Sequence, residues 1–92
     1  MIECDDKQCH VSGDITVECA ASLLNELKPH IAKNVSELDL SGVNNVDSTV
    51  LALILSCKRE AQLRERTLRL SGLPSSVITL ADLYGISSLL QV

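Results

Sequence analysis

The sequence predicts an α/β fold: a small mixed, partly parallel four-stranded sheet with about three helices packed on it. Three observations predict it. Hydrophobic periodicity switches repeatedly between two residues and about 3.6. Glycine and proline fall at the boundaries between these stretches rather than inside them, Pro29 excepted. The chain of 92 residues has room for one core and one domain, spanning 1–92.

Met1 to Cys4 and Gln8 to Ser12 read as two short strands around the turn-like Asp5-Asp6-Lys7. Gly13-Asp14 breaks the pattern. From Thr16 the apolar residues Ala20, Leu23, Leu24, Leu27 and Ile31 fall on one helical face, with Asp14 as the better cap and Glu18 suited to the first turn. Pro29 is expected to end or kink this helix. Ser36 to Leu40 alternates as a strand, with Leu38 and Leu40 on one face and Glu37 and Asp39 on the other; a polar turn follows. Thr49 to Leu63 is a helix whose first turns are apolar all round and so buried on more than one side. Thr67 to Leu70 is a strand and Ser71-Gly72-Leu73-Pro74 a loop. Ser75 or Ser76 caps a third helix, Val77 to Tyr84, stopped by Gly85, and Ile86 to Leu90 is a short apolar element.

Composition narrows the function classes. Apolar residues make up 46% of the chain, enough for a core, yet Tyr84 is the single aromatic. No apolar run reaches the roughly 20 residues a membrane span needs, and the acidic start (Glu3, Asp5, Asp6) is unlike a secretion signal, so the chain reads as cytoplasmic with no direct membrane insertion. Net charge is −4, which together with the lack of interleaved aromatics disfavours nucleic acid. Lys58, Arg59, Arg64, Arg66 and Arg69 cluster in one stretch, read as the solvated end of a helix and the start of a strand.

The four cysteines support neither a zinc site nor a disulfide by spacing. No Cys-x-x-Cys occurs, His10 and His30 complete no zinc pattern, and a cytoplasmic chain keeps thiols reduced. Cys9, Cys19 and Cys57 read as small buried hydrophobes. A metal or thiol protein built on Cys4, Cys9 and His10 is the least supported reading. No catalytic residue, cofactor or metal is expected: no base is placed near a nucleophile, and the glycines are isolated.

The most informative stretch is Leu38-Asp39-Leu40-Ser41-Gly42-Val43-Asn44-Asn45-Val46-Asp47-Ser48-Thr49, leading into the apolar Val50 to Leu55. An acid and two hydroxyls stand where a helix start leaves N–H groups unpaired. This junction resembles the STAS domain (sulfate transporter and anti-sigma-factor antagonist). Thr79-Leu80-Ala81 and Leu83-Tyr84 further resemble the STAS subunit of the Mla phospholipid-transport ABC system, and together the resemblance covers about Gln8 to Leu90.

The resemblance implies a non-catalytic subunit that binds and supports the cytosolic ATPase of a Mla-type transporter, peripheral to the inner membrane, in a system that maintains outer-membrane lipid asymmetry. The alternative it implies is an anti-sigma-factor antagonist phosphorylated on Ser48, the hydroxyl after the motif aspartate. Val50, where regulatory members commonly carry glycine, and the Mla-like segment favour the first, and Ser48 reads as a helix cap before it reads as a phospho-acceptor. Expected partner-binding residues are Asn44, Asn45, Asp47, Ser48 and Thr49 at the junction, Lys58 and Arg59 further along the helix, and Thr79, Asp82 and Tyr84 on the third helix. The tail Leu89-Leu90-Gln91-Val92 offers a surface for a homodimer or for the natural partner, and the sequence leaves these open.

Overall fold

The structure is a computed structural model and describes residues 2–90. The chain runs β1 (Ile2–Cys4), β2 (Gln8–Ile15), α1 (Ala20–Lys33), β3 (Glu37–Val46), α2 (Thr49–Leu63), β4 (Arg69–Ser71), α3 (Ser75–Leu83) and a closing 3₁₀ turn, Ser87–Leu90. One four-stranded sheet has the order β1-β2-β3-β4, with β1 antiparallel to β2 and the pairs β2–β3 and β3–β4 parallel. This is the mixed sheet the alternation of periods predicts. Met1, at the start of the expected first strand, and Gln91-Val92, at the end of the expected tail surface, lie outside the described residues.

The Asp5 carboxylate closes the β1–β2 hairpin by accepting the N–H groups of Lys7 and Gln8, each at 2.8 Å. Burial then alternates: Cys9 and Val11 on β2, and Leu38 and Leu40 on β3, are buried, while the residues between them are not. The covered face meets Leu23, Leu27 and Ile31 of α1, Val50, Leu53, Ile54 and Cys57 of α2, and Val77 and Ala81 of α3 in one continuous core. The other face is polar. His10 Nδ1 sits 2.9 Å from Asp39 Oδ2, and Glu37 Oε2 accepts from Gln8 Nε2 and Ser71 Oγ, both at 2.9 Å.

The structure corrects the element bounds in several places. β2 does not stop at Ser12 but runs through Gly13-Asp14 to Ile15, with Gly13 at a φ of 88°. β3 absorbs the expected polar turn and continues to Val46. The pairing explains why. His10 faces Asp39 but Ser12 faces Gly42; Gly13 faces Val43 but Ile15 faces Val46. At each step β3 advances three residues to two on β2, so β3 carries two bulges. Its inward residues therefore fall at Leu38, Leu40, Val43 and, partly buried, Val46, and strict alternation fails after Leu40. Gly42 is required at the first bulge, because a Cβ there would stand 2.9 Å from Ser12 Cβ.

α1 begins at Ala20 rather than Thr16, its N-cap position is Cys19 rather than Asp14, and no acidic residue occupies its first turn. Pro29 does not end it. The helix continues to Lys33 because Leu27 and Ile31, on either side, are fully buried and hold that turn against the sheet. α3 starts at Ser75, with Pro74 in the N-cap position and no side-chain cap from either serine. Leu90 turns back into the core, leaving Leu89 exposed. Cys4 and Cys9 are opposed across the hairpin at a Cα–Cα distance of 4.0 Å and joined in a disulfide, which corrects the expectation of reduced thiols. Register, not sequence spacing, brings them together.

Candidate functional site

β2 and β3 are parallel, so their C-terminal ends emerge side by side and each feeds a helix from the same edge of the sheet. That geometry assembles the site. Asp47 follows β3 and reaches both crossovers: Oδ2 accepts the backbone N–H of Val17 at 2.9 Å, and Oδ1 accepts that of Thr49 at 2.9 Å. The Thr49 hydroxyl also donates to Oδ1. Asp47 N–H in turn donates to the Ile15 carbonyl at 3.2 Å, and Asp14 Oδ1 accepts the Asn45 N–H at 3.2 Å. Two loops about 30 residues apart are laced into one surface.

These bonds assign the junction residues. The Thr49 hydroxyl, then the Val17 and Thr49 N–H groups, hold the Asp47 carboxyl below its ordinary value, so it is a fixed anion at neutral pH. Ser48 stands at the N-cap position with helical dihedrals (φ −62°, ψ −15°), and its side chain makes no cap hydrogen bond. The cap is Asp47, which corrects the reading of Ser48 as the capping hydroxyl. Ser48 is exposed, as are Asn44 and Asn45; Thr49 is half-buried and spent on Asp47. Val17, 72% exposed beside them, belongs to the same surface and was not singled out from sequence. Its signal was an acid near the C-terminal end of each strand that feeds a helix, Asp14 on β2 and Asp47 just past β3.

The remaining expected contact residues lie elsewhere. Lys58 and Arg59 are about 15 Å along α2 from Thr49, by the rise of a helix, and line a groove of about 520 Å³ with Arg66, Ser88 and Leu89. Lys58 is not a free cation. Nζ donates to the Leu68 carbonyl at 3.2 Å, and burial lowers its pKa. Arg66, read as solvated, donates instead to the carbonyls of Ile31 and Val35. On α3, Thr79 and Asp82 are exposed one turn apart, and Tyr84 follows at 57% exposure beside Leu83 at 76%. The structure thus brings Asn45, Asp47, Ser48 and Thr49 together but sets Lys58–Arg59 and Thr79–Asp82–Tyr84 apart as separate patches. The histidines stand apart from the junction: His10 pairs with Asp39, and His30 is on the last turn of α1.

Among the described residues no helix is long and apolar enough to cross a membrane. Comparison with known proteins places the fold and the family. The chain superposes on the unphosphorylated anti-sigma factor antagonist SpoIIAA with a TM-score of 0.73 at 14% identity, covering 96% of this chain and 82% of that one, which is a likeness of fold. It is 38% identical over 55 residues to the intermembrane phospholipid transport system binding protein MlaB of Haemophilus influenzae. That match covers 60% of this chain and 52% of the relative, so the chain matches about half the length of its relative. The family model described as "Mlab, STAS domain" matches residues 3–91, and the chain therefore belongs to the Mlab STAS-domain family.

Proposed function

We propose that this chain is a non-catalytic STAS subunit of a Mla-type ABC phospholipid transporter, binding and supporting its cytosolic ATPase. The observation that carries this reading is the family match, which spans nearly the whole chain and so takes in both the core and the junction surface. The surface suits the role. Asn44, Asn45, Ser48 and Val17 present polar groups around one apolar contact on a backbone that Asp47 holds rigid. Leu83 at the end of α3 and Tyr84 just past it supply a second exposed anchor. In this reading ATP chemistry belongs to the partner. The chain sits at the cytoplasmic side of the inner membrane through the transporter, whose lipid transport maintains outer-membrane asymmetry.

Co-purification with the ATPase of a Mla-type transporter from the same organism tests the reading. A stable complex is expected, weakened by Ser48→Glu and by Val17→Asp with each variant still folded. An ATPase equally stable and active alone, with no co-purification, overturns it.

One observation favours a second reading, an anti-sigma-factor antagonist switched at Ser48. Because Asp47 does the capping, the Ser48 hydroxyl is exposed and has no structural duty at the helix start. A phosphate there would add nearly two charges, favoured by the helix dipole and opposed by Asp47. Incubation with a cognate kinase and ATP, followed by mass spectrometry, separates the two readings: an unmodified Ser48 removes this one.

A further inference from the structure

At the opposite end of β2 from the junction, the last turns of α1 cross the β1–β2 hairpin and bring His30 to the Cys4–Cys9 pair. The two sulfurs and an imidazole nitrogen all lie within 4.8 Å of one another. Each member is placed by the fold. Cys4 and Cys9 are directly opposed in the antiparallel register, and the Asp5 turn sets that register. His30 precedes the fully buried Ile31, which fixes the rotation of α1, and it remains helical because Pro29 does not break the helix. Cys9 is buried, Cys4 half-buried and His30 exposed, so the group opens to solvent on the imidazole side.

Two thiolates and one imidazole form a donor set that favours zinc over calcium or magnesium. Around a tetrahedral zinc, two thiolate sulfurs stand about 3.8 Å apart, from Zn–S bonds of about 2.3 Å. Opening the disulfide and rotating the cysteine side chains reaches that spacing without moving the strands. We propose that Cys4, Cys9 and His30 form a redox-gated site for one zinc ion, with the fourth position open to water. In the disulfide form neither sulfur is a thiolate, and the site is closed. A small thiol opens it: the S–S bond breaks, two thiol molecules supply two electrons and leave as their disulfide, and each cysteine sulfur takes a proton. Zinc then displaces those two protons. The bound ion would replace the disulfide across the hairpin and also tie the hairpin to the end of α1. His10, the third member in the least supported reading of the sequence, instead faces Asp39 on the open face of the sheet.

The test uses the full chain in two states, disulfide-bonded and reduced with a phosphine that does not bind zinc, each titrated with Zn²⁺ against a chromophoric chelator. The reduced protein should take up one equivalent and the disulfide form none. Co²⁺ in place of zinc should give a thiolate-to-metal charge-transfer band. His30→Gln, at an exposed position that leaves folding intact by circular dichroism, should weaken zinc binding at least about tenfold, and Cys4→Ser more. Unchanged affinity in His30→Gln, or equal uptake by the disulfide form, overturns the proposal. So does reduced protein that binds zinc no better than a Cys4→Ser/Cys9→Ser variant. Should the cysteine variants fail to fold, His30→Gln decides alone.

Discussion

The carboxylate of Asp47 accepts the backbone N–H of Val17 at 2.9 Å, across a sequence separation of 30, while its other oxygen caps α2 through Thr49. One side chain therefore positions the starts of two crossovers, and the exposed residues around it inherit that rigidity.

The division of labour between neighbours is measurable. Asp47→Ala leaves the N–H groups of Val17 and Thr49 without their acceptor and should destabilise the protein. Ser48→Ala, which removes an exposed hydroxyl with no cap bond, should stay within about 0.5 kcal/mol of the wild type. Urea denaturation at pH 7 compares them. A Ser48→Ala loss as large as that of Asp47→Ala would return the cap to Ser48.

Stability should fall in acid, with a definite sign. Thr49, Val17 and then Thr49 again as an N–H donor lower the Asp47 pKa; the Ser41 N–H leads the causes for Asp39, and the Lys7 and Gln8 N–H groups for Asp5. Below its ordinary value of 3.8, each group binds a proton more readily in the unfolded chain than in the folded one. Their contribution is complete above that value and is lost as pH falls through the depressed folded values. Asp47→Asn should flatten the acid limb of a stability–pH curve measured by denaturant titration, and an unchanged limb would assign the acid loss to other groups.

Much of this architecture was legible in the sequence because local signals and tertiary packing agree there. Thr49–Leu63 is helical over the expected bounds, where an apolar run follows an acid and two hydroxyls. The polar stretch after Leu40 misled, since its strand identity depends on pairing with β2 through two bulges that only the partner strand defines. Pro29 misled for the same reason: burial of Leu27 and Ile31 outweighs the lost helical bond. At the site, Asp47, Ser48 and Thr49 were visible as types, but which of them caps depends on where the Val17 N–H arrives. That is a fact of parallel pairing, invisible to spacing.

Thiol chemistry should separate the two unpaired cysteines. Cys57 is fully buried in α2, and desolvation pushes its pKa to about 12, so its nucleophilic thiolate is scarce at neutral pH. Cys19 is half-buried and donates to the Asp14 carbonyl at 3.2 Å. With Cys4 and Cys9 in their disulfide, a maleimide at pH 7 should label Cys19 in native protein and add Cys57 only after denaturation. Rapid native labelling of Cys57 would show that the core around it opens.

Arg66 should matter for folding although it sits in a basic stretch that looks solvated. Its Nη1 donates to the Val35 carbonyl at 3.0 Å and its Nη2 to that of Ile31, tying the end of α1 to the segment after α2. Charge-assisted bonds to two backbone carbonyls predict a loss of about 2 kcal/mol for Arg66→Ala, with Arg66→Lys retaining part of it because a single ammonium lacks the planar fork. Denaturant midpoints report both. A neutral Arg66→Ala would mean that water replaces the guanidinium at both carbonyls.

The end of α2 holds a strain that can be relieved. Glu65 has a φ of 58°, the one non-glycine residue with positive φ among those described. The hydrogen bonds around it explain why: Arg66 N–H donates to the Ala61 carbonyl and Glu65 N–H to that of Gln62, both at 2.9 Å, the pattern that puts a left-handed residue just past a helix. α3 ends the same way, with Ile86 N–H donating to Ala81 at 2.9 Å and Gly85 N–H to Asp82 at 3.1 Å, but there the left-handed position is Gly85, at a φ of 70°. Glutamate at that place carries a side-chain clash that glycine lacks, while glycine gives the unfolded chain more freedom. The first effect is the larger, so Glu65→Gly should raise stability by about 0.5 kcal/mol, and Glu65→Val should lower it because branching at Cβ worsens the clash. Both are read from thermal and urea midpoints. A destabilising Glu65→Gly would show that the Glu65 side chain makes a compensating contact in solution.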